Sequence, residues 1–196
     1  MNESDTRERG QRRTLLQVLG LNAGLSLSLG IGGVLADSSA LLANAVDNTS
    51  DAGVYLLSYF AVGRRLKWRR WAARTSGVML LLLGIGIIVD VGRRWLMGAE
   101  PFGLTIMAMA LAAAAVNLWC LRLIQRTPSD DVNMRAAKTF SFNDFASNGG
   151  ILVAGGLVMW LNQAWPDLVV GGIVAFIALK GGLDILKDAR KSNASA

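Results

Sequence analysis

Two aspartates interrupt an apolar stretch at residues 41–51, which reads LLANAVDNTSD. Asp47 and Asp51 are four residues apart, so on a helix their side chains project from one face, one turn apart. Asn44 lies three residues before Asp47 and extends this polar face. A carboxylate in hydrocarbon costs about 2.5–3.5 kcal/mol on insertion scales, so acids at such a depth generally mark a functional site.

A second polar face occurs near residue 144, where Asp144 and Asn148 share one side of a helix and Ser141 lies three residues earlier. Adjacent unpaired carboxylates repel each other, so they take up protons or bind a cation. Metal binding requires deprotonated ligands and releases protons, so the same oxygens could carry either a divalent cation or protons. An oxygen-only site shifts the preference toward harder ions such as manganese. The predicted metal site consists of Asp47, Asp51, Asp144 and Asn148.

The elements that must position these residues are long and apolar. A membrane-spanning helix needs about 20 predominantly apolar residues. Six segments approach this length, at residues 15–35, 39–63, 76–96, 102–123, 136–161 and 168–186. We therefore predict an all-α fold, a six-helix transmembrane bundle over residues 15–187. A polar tail at residues 1–14 precedes this domain, and a short tail at residues 188–196 follows it.

The formal net charge of +6 has a topological explanation. Arginine and lysine residues cluster before the first segment and after the second, fourth and sixth segments. The positive-inside rule then predicts that both termini lie in the cytoplasm, and nucleic-acid binding is not expected. The stretch RRLKWRRWAAR, residues 64–74, is predicted as a cytoplasmic loop rather than as an amphipathic interfacial segment.

The composition also excludes several kinds of chemistry. The sequence contains no histidine and one cysteine, Cys120, which rules out an internal disulfide and a cysteine metal cluster. We expect Cys120 to be a packed thiol. Without histidine, no nucleophile and base constellation is visible, so the chain is not predicted to be an enzyme and no prosthetic group is expected.

Two further acids are predicted to form local ion pairs. Asp90 stands just before Arg93 and Arg94, at the end of the third segment. Asp184 lies within a turn of a lysine on either side in the sixth segment.

The residues around the first polar face resemble a known family. SSALLANAVDNTSDAG, residues 38–53, is similar to the second helix of the cation diffusion facilitators, S-x-A-L-L-A-D-A-x-[HD]-x-x-x-D. The resemblance places Asp47 and Asp51 on that family's two metal ligands in helix two, and Asp144 on one in helix five. Asn22 and Asp90 also match family positions. The resemblance implies proton-coupled export of zinc, or of cadmium, cobalt, iron, nickel or manganese, by alternating access, usually as a homodimer in the bacterial inner membrane.

Some positions depart from the family pattern. Phe140 stands where the family usually has histidine or aspartate, so one ligand is missing. Asn148, Asn143, Ser141 or a water molecule could replace it, and Asn148 is preferred because it shares the face of Asp144. The family's cytoplasmic C-terminal domain does not fit within the 196 residues, and we therefore expect a transmembrane domain without it.

The sequence thus predicts proton-coupled efflux of divalent transition-metal cations, with zinc first, in the lipid bilayer. One alternative is a non-transporting membrane protein that binds metal or has a structural role. Another is an organic-cation/proton antiporter, because the second and fifth segments also carry aromatic residues, among them Tyr55, Tyr59, Phe60, Phe140, Phe142 and Phe145.

Overall fold

The computed structural model describes residues 3–61, 66–127 and 132–194. In these residues the chain forms helices and no strand, which confirms the prediction of an all-α bundle. The six helices are α1 (Glu3–Leu35), α2 (Ser39–Ala61), α3 (Leu66–Met97), α4 (Gly103–Gln125), α5 (Val132–Leu161) and α6 (Trp165–Ala194). Each corresponds to one predicted segment.

Several helices extend beyond their apolar segments. α1 begins at Glu3, so most of the predicted N-terminal tail continues the first helix. α3 begins at Leu66, so the prediction of a loop through residues 66–74 was wrong. In the part of the chain that the structure describes, α1, α4, α5 and α6 are long and apolar enough to cross a membrane. The domain boundaries at residues 14 and 187 remain predictions.

α2 is the central helix and contacts each of the other five. α1 packs mainly on α2, α4 on α5, and α3 on α6. α6 approaches α2 very closely at Gly171, where an added Cβ atom would lie 2.7 Å from the carbonyl carbon of Ser39. The absence of a side chain at Gly171 therefore brings the first turns of α2 and α6 together.

One end of the bundle contains the links α1–α2, α3–α4 and α5–α6. We call it the outer end, because it is extracellular in the predicted topology. Two buried apolar clusters fill the interior between α1, α2 and α4. The outer cluster includes Leu25, Leu29, Leu41, Ala45, Ile106, Ala110, Ala113 and Ile151. The inner cluster consists of Leu15, Val18, Tyr55, Cys120 and Ile124, which confirms that Cys120 is a packed thiol.

A fully buried carboxylate from α6 fixes the start of α2. Asp167 Oδ1 accepts a hydrogen bond from the Ser38 hydroxyl at 2.5 Å, and Oδ2 accepts one from the Ser39 backbone N–H at 2.7 Å. Ala40 N–H also points at Oδ1, at 3.4 Å. The first N–H groups of a helix have no partner within the helix, so an acid from another helix that accepts them caps α2. Sequence reasoning missed this role, because the helix start and the acid are 128 residues apart.

The predicted ion pair of Asp90 is confirmed at the same end. Arg93 Nη2 donates to Asp90 Oδ1 at 2.9 Å, and Arg94 Nε donates to Oδ2 at 2.5 Å. Arg94 also contacts the side chain of Asp37 and donates to its backbone carbonyl at 2.6 Å. The outer ends of α2, α3 and α6 are therefore joined by charged side chains.

Candidate metal site

The three predicted aspartates line one cavity of about 540 Å³ between α2, α3, α5 and α6. α2 contributes Asp47 and Asp51 because their four-residue spacing puts both on the face turned toward α6 and α5, and α5 contributes Asp144. The other lining residues are Ser50, Val54, Leu80, Ala146, Ser147, Ile177, Ala178, Gly181, Asp184 and Ile185.

The carboxyl groups of Asp51 and Asp144 are buried, with 7% and 3% of the residue exposed, whereas Asp47 is half-buried. The two buried groups face each other within hydrogen-bond reach. One oxygen of each, Oδ2, has no hydrogen-bond partner among the described residues. Two carboxyl groups at this separation repel each other when both are ionised, so they require a shared proton or a bound cation.

Among the described residues that line the cavity there is no lysine or arginine. Lys180, the nearest candidate for an internal cation in α6, is exposed instead. Asp184 lies at the inner end of the cavity and pairs with Lys187 at 3.3 Å, as predicted from their spacing. The charged residues of the lining are therefore four acids, which favours cations inside the cavity.

The cavity extends from the aspartates toward the inner end of the bundle. Val54 lies one turn inward of Asp51 in α2, and Asp184 and Ile185 lie near the inner end of α6. In the predicted topology this direction is cytoplasmic. At the opposite end, Asp167 and the glycine contact at Gly171 hold α2 against α6.

Asn148, the fourth predicted ligand, lies elsewhere. It is fully buried one turn outward of Asp144 and does not line the cavity. Its Oδ1 accepts a hydrogen bond from Asn44 Nδ2 at 2.8 Å, and its Nδ2 donates to the Asp144 backbone carbonyl at 2.8 Å. The structure thus brings together three of the four predicted residues, while the amide of Asn148 is engaged in a separate contact between α2 and α5.

The remaining candidates for the missing ligand differ in position. The Ser141 hydroxyl is buried, with no hydrogen-bond partner among the described residues, and lies one turn before Asp144. The side chains of Phe140 and Asn143 lie outside the described part of the structure. Within that part, no three carboxylate or thiol side chains come close enough together to enclose a metal ion. A tetrahedral ligand set would therefore require the aspartates to move closer or a hydroxyl or water ligand to complete it.

The aromatic residues of α2 and α5 do not form the lining of the cavity in the described structure. Phe142 and Phe145 are exposed on the outside of the bundle, with 58% and 39% of the residue accessible. Tyr55 belongs to the inner cluster, and the side chains of Phe60 and Phe140 lie outside the described part. The described aromatic side chains of α2 and α5 therefore do not form a pocket around the aspartates.

Comparison with known proteins identifies the family. A family model of the cation efflux transmembrane domain matches residues 15–192. This chain belongs to the cation efflux family. The family resemblance predicted from the motif of α2 is thereby confirmed.

Several bacterial members of the cation efflux family are similar to this chain. The zinc transporter ZitB of Escherichia coli is 26% identical over 194 residues, which cover 92% of this chain and 62% of the relative. A protein of Bacillus velezensis named cadmium, cobalt and zinc/H(+)-K(+) antiporter is 26% identical over 173 residues, which cover 81% and 55%. The metal cation efflux system protein CzcD of Cupriavidus metallidurans is 20% identical over 196 residues, which cover 90% and 62%.

The cation efflux chain spans between 55% and 62% of the length of these relatives. Their names describe transporters, which agrees with the prediction that the chain is not an enzyme. The predicted location, as a multi-pass protein of a bacterial inner membrane, agrees with the family and with these bacterial relatives.

Proposed function

We propose that this cation efflux protein exports divalent transition-metal ions from the cytoplasm in exchange for protons, at a site formed by Asp47, Asp51 and Asp144. The observation that carries the proposal is the pair of buried, facing carboxyl groups of Asp51 and Asp144, in a cavity whose described lining contains no basic residue. Such a pair binds either protons or a cation, and exchange between the two is the chemistry of an antiporter.

In the proposed cycle the metal ion enters from the cytoplasmic side, past Asp184, and reaches the three aspartates. It displaces the protons held by these carboxyl groups, because metal ligands must be deprotonated. The bundle then closes toward the cytoplasm and opens at the outer end, where protons from outside displace the metal ion. Alternating access of this kind requires the contacts of Asp167 and Arg94 at the outer end to separate.

Zinc is the first candidate substrate, because the names of several relatives specify it. Oxygen ligands also accept manganese, cobalt, iron, nickel and cadmium with different preferences. For the fourth ligand, a water molecule or the Ser141 hydroxyl, one turn before Asp144, is favoured over Asn148, which would first have to release Asn44. We also propose that the protein functions as a homodimer in the lipid bilayer.

Metal binding to the purified protein tests the site directly. Asp51→Asn and Asp144→Asn should each weaken the binding of the preferred metal by more than the 10–100-fold typical of outer-shell changes, because each removes a direct ligand. Glu100→Gln is the matched control, since it neutralises an exposed acid at the outer end of the bundle that is not part of the cavity lining. Unchanged affinity and stoichiometry of Asp51→Asn for every divalent metal would refute the proposed site.

Transport in proteoliposomes tests the activity. The wild type should release protons into one compartment as zinc enters the other, and Asp51→Asn should abolish both fluxes. Metal binding without flux of any divalent ion would instead indicate a non-transporting metal-binding protein. Competition between zinc and a lipophilic organic cation for the same site would indicate an organic-cation antiporter.

A further inference from the structure

A layer of buried asparagines crosses the middle of the bundle, at the level of the aspartates. Four helices contribute amides of which at most 1% is exposed, and the four that lie at this level are Asn22 in α1, Asn48 in α2, Asn117 in α4 and Asn148 in α5. Polar side chains at this depth must find hydrogen-bond partners within the bundle, because the surrounding lipid offers none.

The positions of these amides along their helices place them between the two apolar clusters. Asn22 follows Val18 of the inner cluster by four residues and precedes Leu25 of the outer cluster by three. In α4, Asn117 precedes Cys120 of the inner cluster by three residues and follows residues of the outer cluster by a turn. Asn22 Nδ2 lies 3.9 Å from Cys120 Sγ, which joins the two helices at this level. The amides therefore form one layer rather than separate sites.

The layer has more polar atoms than it has hydrogen bonds. Seven buried side-chain atoms lack a partner among the described residues. They belong to three of the amides, to two aspartates one turn from an amide in α2 and α5, and to Ser141, one turn before Asp144. They are Asn22 Oδ1, Asn48 Oδ1, Asn117 Nδ2, Asn117 Oδ1, Ser141 Oγ, Asp51 Oδ2 and Asp144 Oδ2. Folded proteins leave few such atoms unsatisfied, and a group of them indicates a bound molecule.

We propose that this layer binds a small cluster of ordered water molecules. The chemistry of the atoms favours water over a metal ion. Asn117 presents both a donor, Nδ2, and an acceptor, Oδ1, and a metal cation cannot accept a hydrogen bond from an amide N–H. A buried water molecule makes about three hydrogen bonds, so roughly two or three molecules would satisfy the seven atoms.

The water cluster would also provide partners for the two carboxyl oxygens that have none among the described residues. Asp51 Oδ2 and Asp144 Oδ2 would then have a proton donor beside them whenever they are ionised. This consequence rests on the proposed antiport, whereas the water site itself does not depend on it.

Cys120 allows a test that needs no label, because it is the single cysteine of the chain and lies in contact with Asn22. Its S–H stretching band can be followed by infrared spectroscopy after transfer of the purified wild-type protein into D2O. We expect this band to convert rapidly to S–D, well before the backbone amides of the helices exchange. Persistence of the S–H band until those amides have exchanged would overturn the proposal, whether or not the protein transports metal.

The substitution Asn117→Leu tests whether the buried amides bind the water. It removes two of the unpartnered atoms and replaces them with an apolar side chain of similar size. S–H exchange should slow about tenfold, the factor that corresponds to roughly one lost hydrogen bond. Ala115→Leu, on the exposed face of the same helix, is the control and should leave the exchange rate unchanged.

Thermal unfolding gives a second measurement for the same pair of variants. If water satisfies the amide, Asn117→Leu should lower the unfolding temperature relative to Ala115→Leu. A higher unfolding temperature would show that the amide atoms are dry, and an unchanged exchange rate would show that Asn117 does not hold the water. Either result would overturn the assignment.

Discussion

Replacing Asp167 with alanine should loosen the outer end of the bundle more than any other single carboxylate substitution outside the metal site. Asp167 is fully buried and accepts the Ser38 hydroxyl at 2.5 Å and the Ser39 N–H at 2.7 Å. Because the carboxylate is inaccessible, water cannot replace these bonds without a local opening. The substitution therefore removes the cap of α2 and leaves buried donors without an acceptor.

The expected loss follows from the two short contacts. A hydrogen bond to a charged group contributes about 1.5–3 kcal/mol, so two of them contribute about 3–6 kcal/mol to the free energy of unfolding. The longer contact from Ala40, at 3.4 Å, adds little. For a domain of this size, each kcal/mol lowers the unfolding temperature by about 2–4 °C, which gives a decrease on the order of 10 °C. Asp167→Asn retains one acceptor oxygen and should show about half of this effect.

Thermal unfolding in detergent, followed by helix content, measures this loss. Asp184→Asn is the control, because it neutralises an acid of the same helix whose side chain is 52% exposed. The ion pair of Asp184 with Lys187 has an N–O distance of 3.3 Å. Exposed pairs contribute about 0.2–1 kcal/mol, so this control should change the unfolding temperature only slightly. If Asp167→Ala and Asp184→Asn unfold at the same temperature, the cap does not hold α2 and the reasoning is refuted.

Two further predictions concern contacts of α2 with α6 and with α5. Gly171→Ala should lower the free energy of unfolding by about 1–3 kcal/mol, because the added Cβ atom would lie 2.7 Å from the carbonyl carbon of Ser39. Gly172→Ala should leave the stability unchanged, since no atom lies within 4 Å of its Cβ position. Denaturant unfolding of the two variants gives the comparison, and equal stabilities would contradict the close packing. Asn148→Leu should lower the free energy of unfolding by about 1–3 kcal/mol, because it leaves Asn44 Nδ2 without its hydrogen-bond acceptor. Metal affinity, measured by titration calorimetry, should be unchanged. A large loss of affinity would instead make Asn148 a ligand.

The candidate site was only partly predictable from the sequence. Asp47 and Asp51 were assigned to one face because the helical period alone fixes their relation. Asp144 was added on chemical grounds and by family resemblance, and the structure places it in the same cavity. The contacts of the Asn148 amide could not be predicted from helical spacing. Its shared face with Asp144 was correct, but the position of Asn44 across the helix interface decides what its amide contacts.

The sequence by itself determined the features that depend on local composition and period. Apolar segments of membrane length define six helices, and acids spaced by one turn define the polar face of α2. The ion pair of Asp90 with Arg93 and Arg94 was likewise predictable, because its partners lie within one turn of the same helix.

Only the tertiary structure decided which distant groups meet. The cap of α2 by Asp167 joins residues far apart in the chain. The layer of Asn22, Asn48, Asn117 and Asn148 exists because four helices are in register. Neither feature has a local sequence signal, since the crossing and register of packed helices depend on side-chain contacts along their whole length. For the same reason, the cavity that joins Asp51 to Asp144 is a property of the packed bundle.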